Sequence, residues 1–156
     1  MKTFTAFMTI ATLCTTLVAG AAPGDYAIQV PAGWTRSTGS AAREHYMKNG
    51  ASFLLTVDTA PASAQTPDAF VEYVKKQIAG TFKNAKFEPV KKVTVNGREG
   101  RELVYTGEIS AMKMKYHVVY IPKGVQYYTL TFGGLEETFG AARADIGAIV
   151  NSFRLK

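Results

Sequence analysis

Two Asn-Gly dipeptides constrain the fold of this chain more than any other feature of its sequence. Asn49-Gly50 separates the runs EHYMK and ASFLLTVD, and Asn96-Gly97 separates VKKVTV from REGRELVYTGEI. The flanking runs have strand-like composition, and a two-residue Asn-Gly loop favours the type I′ turn, in which both central residues have positive φ. We therefore predict a β-hairpin at each dipeptide.

Two further turns extend this pattern into a four-stranded antiparallel meander from Val93 to Phe132. We expect Ser110-Ala111 to be the tip that joins Leu103–Ile109 to Met112–Ile121. We expect the next turn to be formed by Pro122-Lys123-Gly124. Within MKMKYHVVYI the side chains alternate in character with a period of two, which is typical of a strand.

Two segments have a helical period instead. Apolar residues recur every three or four positions in Ala69–Phe82, and Thr66 can cap this helix, with Pro67 at its first position. A second apolar stripe runs through Thr138–Phe153. The order of strands, helix, meander and helix predicts an α+β domain, a central and mostly antiparallel sheet with helices packed on it.

The first residues have the three-part pattern of a secretory signal peptide. Lys2 precedes an uncharged stretch from Thr3 to Val18, and Ala19-Gly20-Ala21 forms a small-residue cleavage site. A membrane anchor is the competing interpretation, but the stretch is short for a bilayer-spanning helix and is diluted by threonines. We predict a signal peptide at 1–21, a single domain at 22–156, and a secreted or periplasmic location.

Composition limits the classes of protein that this chain can belong to. It has 156 residues, 18 Lys and Arg against 12 Asp and Glu, and a formal net charge of +6. The one cysteine, Cys14, lies in the predicted signal peptide and cannot form a disulfide within the chain. Because the protein is expected to be exported, no nucleic-acid partner and no stable membrane anchor are predicted despite the basic charge.

No catalytic or metal-binding motif is found in the sequence. It contains no G-x-S-x-G elbow, no H-E-x-x-H, no calcium loop and no glycine-rich phosphate loop. A hydrolase would need His45 or His117 within hydrogen-bond reach of a serine or an acid in a cleft. Both histidines fall in predicted strands, where solvated side chains explain them. We predict no catalytic residue, metal or cofactor, and we keep a hydrolase as the third hypothesis.

A group of basic residues is the first candidate binding feature. Such a group is able to meet an acidic protein, an acidic wall polymer or anionic lipid. A solvated helix face together with edge-strand lysines that block aggregation produces the same pattern. The candidate partner-binding residues are Lys75, Lys76, Lys83, Lys86, Lys91 and Lys92.

The aromatic residues are the second candidate feature. The chain has eight Tyr and nine Phe. Tyr105, Tyr116 and Tyr120 are candidates to line a groove beneath a helix, because apolar pockets that contain tyrosine hydroxyls are common ligand sites. Ordinary core packing is the alternative explanation for these three residues.

Three blocks of the sequence together resemble the PsbP-like domain family. YAIQVPAGWT is similar to the family's opening strand and Pro-x-Gly-Trp signature, KKVTVNGREGRELVYTG to its middle hairpin, and IVNSFRLK to its last helix. The resemblance covers about residues 25–156. It implies an α/β/α sandwich around a central antiparallel sheet, with structural roles for Trp34 and for the turn Pro31–Gly33.

The resemblance also implies a class of function, because the family is mostly non-enzymatic. PsbP is an extrinsic subunit that supports the photosynthetic oxygen-evolving complex, and a eukaryotic relative of the fold binds the GTPase Ran. Bacterial relatives include adaptor chaperones for secreted effectors. Some PsbP proteins bind metal, but neither His45 nor His117 can be matched to those ligands.

Two non-enzymatic hypotheses follow. The first is a secreted binding or assembly module that holds a protein partner or an anionic envelope component, which requires an exposed apolar patch. The alternative is a carrier of a small amphipathic or lipid-like ligand, which requires a cavity of several hundred Å³.

Overall fold

The structure is a computed structural model that describes residues 24–156. The predicted signal peptide, 1–21, lies outside the described residues. Within them the chain forms ten strands, two α-helices and two short 3₁₀ turns. The elements in chain order are β1 (Tyr26–Ala27), β2 (Thr35–Arg36), β3 (Glu44–Lys48), β4 (Ala51–Thr59), a 3₁₀ turn (Ala62–Ala64), α1 (Pro67–Thr81), β5 (Lys83–Phe87), β6 (Lys91–Val95), β7 (Arg98–Ile109), β8 (Met112–Lys123), β9 (Gln126–Leu135), a second 3₁₀ turn (Phe139–Ala142), α2 (Arg143–Ser152) and β10 (Arg154–Leu155).

Eight of the strands form one antiparallel sheet in the order β2-β3-β4-β9-β8-β7-β5. β6 also pairs with β7, on the same edge as β5, because β5 and β6 pair with different halves of that long strand. β6, β7, β8 and β9 are consecutive neighbours, so the predicted meander is confirmed. β1 and β10 form a separate two-stranded sheet that joins the two ends of the domain.

The turns confirm three of the four predicted hairpin positions. Asn49 and Gly50 have φ values of 49° and 80°, and Asn96 and Gly97 have φ values of 46° and 81°, as a type I′ turn requires. Ser110-Ala111 has the same backbone form, with φ values of 50° and 66°, although neither residue is a glycine.

The fourth turn lies two residues later than predicted. β8 continues through Pro122 to Lys123, and Gly124-Val125 forms the loop, with a φ of 64° at Gly124. Pro122 is tolerated in the strand because β7 pairs with β8 only as far as Tyr120. On that side, therefore, no neighbouring strand requires the N–H that proline lacks.

The two helices cover opposite faces of the sheet, so the predicted α+β sandwich is confirmed. α1 begins at Pro67, and Thr66 caps it by accepting a hydrogen bond from the Ala69 amide at 3.3 Å. It packs Phe70, Val71 and Ile78 on the sheet face that carries Leu103, Tyr105, Tyr120 and Tyr127. α2 packs Ile146 and Ile149 on the other face, against residues that include Phe53, Leu130 and Phe132.

Polar contacts fasten each helix to the sheet. Arg101, almost fully buried on β7, donates from Nε to Asp68 of α1 at 2.6 Å and from Nη1 to Glu99 at 2.7 Å. Asp145 of α2 accepts hydrogen bonds from Trp34 Nε1 at 3.0 Å and from Lys48 Nζ at 2.7 Å. Trp34 thus has a structural role, as the family resemblance implies.

Each helix covers only part of the sheet face on which it packs. α1 covers β5, β7, β8 and the Tyr127 end of β9, so Leu54, Thr56, Asp58 and Thr131 on the same sheet face remain at least partly exposed. The buried residues beneath α2 include members of β3, β4 and β9, and the half of the sheet around β5 and β7 is more exposed on that face. These two uncovered areas, one on each face, are where binding sites can form.

Candidate binding sites

An open groove of about 440 Å³ runs between α1 and the adjoining strands. We call it the α1 groove. Its walls combine apolar side chains of α1 with polar and aromatic side chains of β4, β7, β8 and β9. The lining residues are Thr56, Asp58, Thr59, Phe70, Tyr73, Val74, Ile78, Tyr105, Val118, Tyr120, Thr129 and Thr131.

Two of the three candidate tyrosines line the α1 groove. Burial raises the pKa of Tyr105, and the neighbouring Tyr116 raises it further. Burial also raises the pKa of Tyr120, with smaller contributions from Tyr105 and the Asp58 carboxylate. Both hydroxyls therefore remain protonated at physiological pH and are able to donate hydrogen bonds to a ligand.

Tyr116 has a different position and is not among the groove-lining residues. It lies opposite Tyr105 in the β7–β8 pair, and the two rings stack with centroids 4.9 Å apart. Phe82 meets both rings edge-on. The ring also covers Gly133, where an added Cβ would lie 2.5 Å from Tyr116 Cε1. Tyr116 thus packs beside the groove, on the same sheet face, and holds the Tyr105 ring in place.

Asp58 is the groove residue that sequence reasoning missed. It lies near the end of β4, and its Oδ2 accepts hydrogen bonds from Thr56 Oγ1 at 3.0 Å and from Thr129 Oγ1 at 2.8 Å. The alternation of Leu54, Thr56 and Asp58 places these side chains on one face of the strand. That period was visible in the sequence, but the partner strand β9 was not.

The structure separates the six candidate lysines onto two faces. Side chains at directly paired positions of an antiparallel sheet point to the same side. Lys83 lies opposite Glu108, Lys86 opposite Thr106 and Lys91 opposite Glu102, all on the face away from α1. The remaining three, Lys75, Lys76 and Lys92, lie on α1 or on the α1 side of β6.

Lys75 and Lys92 have acidic neighbours on the α1 side. Lys75 forms an ion pair with Glu72 at 2.8 Å, and its ammonium group lies 5.6 Å from the centre of the Phe87 ring. The hydrogen bond from Arg101 holds the pKa of Glu99 below its ordinary value, and Lys92 lowers it further. These contacts are typical of a charge-balanced structural surface.

The face away from α1 carries the larger unpaired positive charge. We call the accessible surface of β5, β7 and β8 on that side the open sheet face. An open groove of about 490 Å³ crosses it. Lys115 pairs with Glu88 at 3.7 Å, and His117 Nε2 lies 2.9 Å from Glu102 Oε2. The lysines of this face that form no ion pair with another described residue are Lys83, Lys86, Lys91 and Lys113.

An apolar hairpin tip adjoins the open sheet face. Ile109 and Met112 flank the turn Ser110-Ala111, and their side chains are 38% and 50% exposed. The next pair along the hairpin is Glu108 with Lys113, which lies on the open sheet face. By the alternation of β7 and β8, the side chains of Ile109 and Met112 point to the α1 side, so the apolar tip lies at the edge of the open sheet face and not on it.

The two histidines lie on opposite faces of the sheet and have different surroundings. His117 pairs with Glu102 on the open sheet face, whereas His45 is on β3, and its buried Nδ1 has no hydrogen-bond partner in the described part of the chain. Within residues 24–156, no group of three or more His, Cys, Asp or Glu side chains is placed to hold a metal ion. The same residues contain no helix of the length and apolar character needed to cross a membrane.

The strand order and the two opposed helices define the PsbP-like α+β fold, as the sequence resemblance predicted. Solved structures with this fold include LpqN of Mycobacterium tuberculosis, described as involved in cell envelope biogenesis. It has a TM-score of 0.65 and 13% identity, covering 89% of this chain and 88% of LpqN.

Two further structures show the same likeness. Cyanobacterial PsbP (CyanoP) from Synechocystis has a TM-score of 0.57 and 10% identity, with 94% of this chain and 99% of CyanoP covered. The Ran-binding protein Mog1p of Saccharomyces cerevisiae has a TM-score of 0.59 and 11% identity, with 85% and 90% covered. No protein-family model and no curated protein sequence matches the chain. At these identities the likeness establishes the fold.

Proposed function

We propose that this protein is a secreted, non-enzymatic binding module that holds an acidic protein partner against its open sheet face. The observation that carries the proposal is the group of four lysines without ion-pair partners on that accessible half of the sheet. Two carboxylates, Glu108 and Glu136, line the groove with Lys86 and Lys113 and likewise form no ion pair with a described residue. An acidic surface would complement this excess of positive charge.

The apolar tip supplies the second element that a protein interface needs. Charged groups speed association and select the partner, whereas a few well-buried apolar side chains contribute most of the binding free energy. Ile109 and Met112 are exposed at the tip of the hairpin that carries Lys113, and a partner that reaches around this edge of the sheet is able to bury them. An anionic lipid or wall polymer would use the lysines and gain less from this tip.

Three other observations support the proposal. Among proteins with this fold, LpqN is described as an envelope-biogenesis protein and Mog1p as a Ran-binding protein. Secretion rests on the signal-peptide pattern of residues 1–21. A non-enzymatic role fits a sequence without a catalytic motif and a His117–Glu102 pair that lies on an open sheet surface.

Site-specific cross-linking in the intact host tests this proposal. A photoreactive amino acid at Thr106, on the open sheet face, is expected to capture one acidic protein. The adduct should disappear in the Lys86→Glu/Lys113→Glu variant. It should persist in Lys76→Glu/Lys156→Glu, which changes the net charge equally at exposed positions elsewhere. An adduct that both variants lose equally, or that both retain, would contradict the proposed site.

The α1 groove favours a second candidate function, the carriage of a small amphipathic ligand. Its volume of about 440 Å³ falls within the range of ordinary ligand sites. The groove is open along one side, so a bound ligand would be partly exposed. Native mass spectrometry of protein purified from its host at low salt would reveal a small bound mass that is lost on denaturation. A bare protein would argue against the carrier.

A further inference from the structure

The α1 groove contains one formally charged side chain, the carboxylate of Asp58. All its other lining residues are aromatic, aliphatic or hydroxyl-bearing. No Lys, Arg or His among residues 24–156 forms an ion pair with Asp58. The chain as a whole carries a net charge of +6, so the charge of this groove is opposite to that of the protein.

Hydrogen bonds hold the Asp58 carboxylate in place. Thr56 and Thr129 both donate to Oδ2, at 3.0 and 2.8 Å. Oδ1 has no hydrogen-bond partner in the described part of the chain. Two donors on one oxygen restrict the orientation of the carboxylate and leave the other oxygen available to a ligand.

Aromatic rings and an apolar wall line the same groove as this carboxylate, which is itself exposed to solvent. Phe70, Tyr73, Tyr105 and Tyr120 line the groove, and the exposed ring of Tyr73 borders it from α1. Aromatic faces attract ammonium groups through the quadrupole of the ring. The aliphatic part of the wall, which includes Val74 on α1, suits a hydrocarbon chain.

We propose that the α1 groove binds an amphipathic amine, a small molecule in which an apolar chain carries a protonated amino group. The ammonium group would pair with Asp58 beside the tyrosine rings, and the chain would lie along α1. This inference rests on the carrier function proposed above, and it specifies the chemical class of the ligand. A carboxylate ligand would be repelled by Asp58, and a neutral one would gain no charge pairing.

Calorimetric titration with three probes of equal chain length tests the inference. The probes are n-octylammonium, n-octanol and octanoate, each titrated into the domain at low salt. We expect octylammonium to bind at least about tenfold more tightly than the other two. Asp58→Asn should weaken its binding by a similar factor, and Tyr73→Ala by a few-fold.

Asp25→Asn is the matched control. It removes the same charge at an exposed position, away from the α1 groove, whose carboxylate pairs with Lys123 at 3.9 Å. Its affinity for octylammonium should remain within about twofold of wild type. The amide oxygen introduced by Asp58→Asn can still accept the hydrogen bonds of Thr56 and Thr129, and thermal unfolding monitored by circular dichroism checks that the variants are folded.

The possible failures have different meanings. Octanol or octanoate binding as tightly as octylammonium, with no effect of Asp58→Asn, would overturn the amine inference and leave the carrier function standing. Absence of binding by all three probes would overturn both. An acetylated tetralysine peptide that binds when octylammonium does not would assign the groove to a partner's lysine and overturn the small-molecule inference.

Discussion

Thr129 on β9 donates its hydroxyl hydrogen to the Asp58 carboxylate on β4, with 2.8 Å between Oγ1 and Oδ2. The two residues lie on adjacent strands, and Thr129 is directly opposite Thr56, the second donor to the same oxygen. The β4–β9 register therefore decides where the only charge of the α1 groove is held.

Removal of this donor should affect ligand binding more than folding. Thr129→Val keeps the side-chain shape but loses the hydroxyl, so Asp58 is held by Thr56 alone. We expect the affinity for octylammonium to fall about threefold and the free energy of unfolding to fall by about 1 kcal/mol or less. Calorimetry and urea denaturation measure the two effects.

Thr131→Val is the control, because Thr131 lines the groove without contacting Asp58. Equal affinities of the Thr129→Val and Thr131→Val variants for octylammonium would contradict the role of Thr129.

The hairpin tip stores backbone strain that a glycine should relieve. Ala111 has a φ of 66°, a left-handed conformation that disfavours residues with a Cβ atom. Ala111→Gly is expected to raise the free energy of unfolding by about 0.5–1 kcal/mol. The same substitution at Ala148, an exposed position within α2, should lower it by about 1 kcal/mol. Chemical denaturation measures the free energy of unfolding of both variants. A lower value for Ala111→Gly than for wild type would show that the backbone at Ala111 is not strained.

The Asp145 contacts predict a specific loss of stability in acid. The hydrogen bond from Lys48, with a smaller contribution from that of Trp34, holds the pKa of Asp145 below its ordinary value of 3.8. A depressed folded-state pKa stabilises the protein above the unfolded-state value, and this stabilisation is lost as the pH falls through the folded-state value. The contribution of Asp145 is therefore present above about pH 4 and declines below it.

The Asp145→Asn variant isolates this contribution from that of other carboxylates. At pH 7 we expect it to be less stable than wild type by about 1 kcal/mol. The difference should shrink as the pH is lowered from about 4 to about 2, because protonation then removes the same charge from wild type. Urea denaturation at each pH measures the gap. A gap that stays constant over this range would show that the charge of Asp145 contributes nothing to stability.

Gly133 is required because the Tyr116 ring covers it. An added Cβ would lie 2.5 Å from Cε1 and 2.8 Å from Cδ1 of that ring, so the ring must move and its stacking on Tyr105 is disturbed. Gly133→Ala should cost about 1–3 kcal/mol of stability. Gly140→Ala is the control: its added Cβ atom would have no neighbouring atom within 4 Å, so this substitution should leave the stability nearly unchanged. In a double-mutant cycle, Gly133→Ala should cost less stability when Tyr116→Ala is already present. Strictly additive losses of stability would contradict the contact between position 133 and the Tyr116 ring.

Local signals predicted the fold well. The Asn-Gly turns, the meander and the two helices depend on neighbouring residues, and each was placed from its own segment. The second helix starts later than its apolar stripe suggested, because Phe139–Ala142 forms a 3₁₀ turn and α2 begins at Arg143. Pro122 was misplaced because a proline usually indicates a turn. In the structure, β8 extends past the last residue that β7 pairs with, a relationship between strands that no local pattern reveals.

The candidate sites depended more on long-range pairing and were predicted less completely. The lysines are close in sequence, but their pairing with β7 turns Lys86 and Lys91 away from Lys92 and the α1 side. Asp58 acquires its role only because β9, which is distant in the sequence, lies beside β4 and supplies Thr129.

The most direct test of the binding-module account is to purify the cross-linked partner and measure its affinity for three proteins. These are wild type and the two variants in which a pair of lysines is replaced by glutamates. We predict that Lys86→Glu/Lys113→Glu weakens binding at least about tenfold at low salt and reduces its salt dependence. Lys76→Glu/Lys156→Glu should remain within about twofold of wild type. Equal losses in the two variants would show a response to net charge alone and would contradict a partner site on the open sheet face.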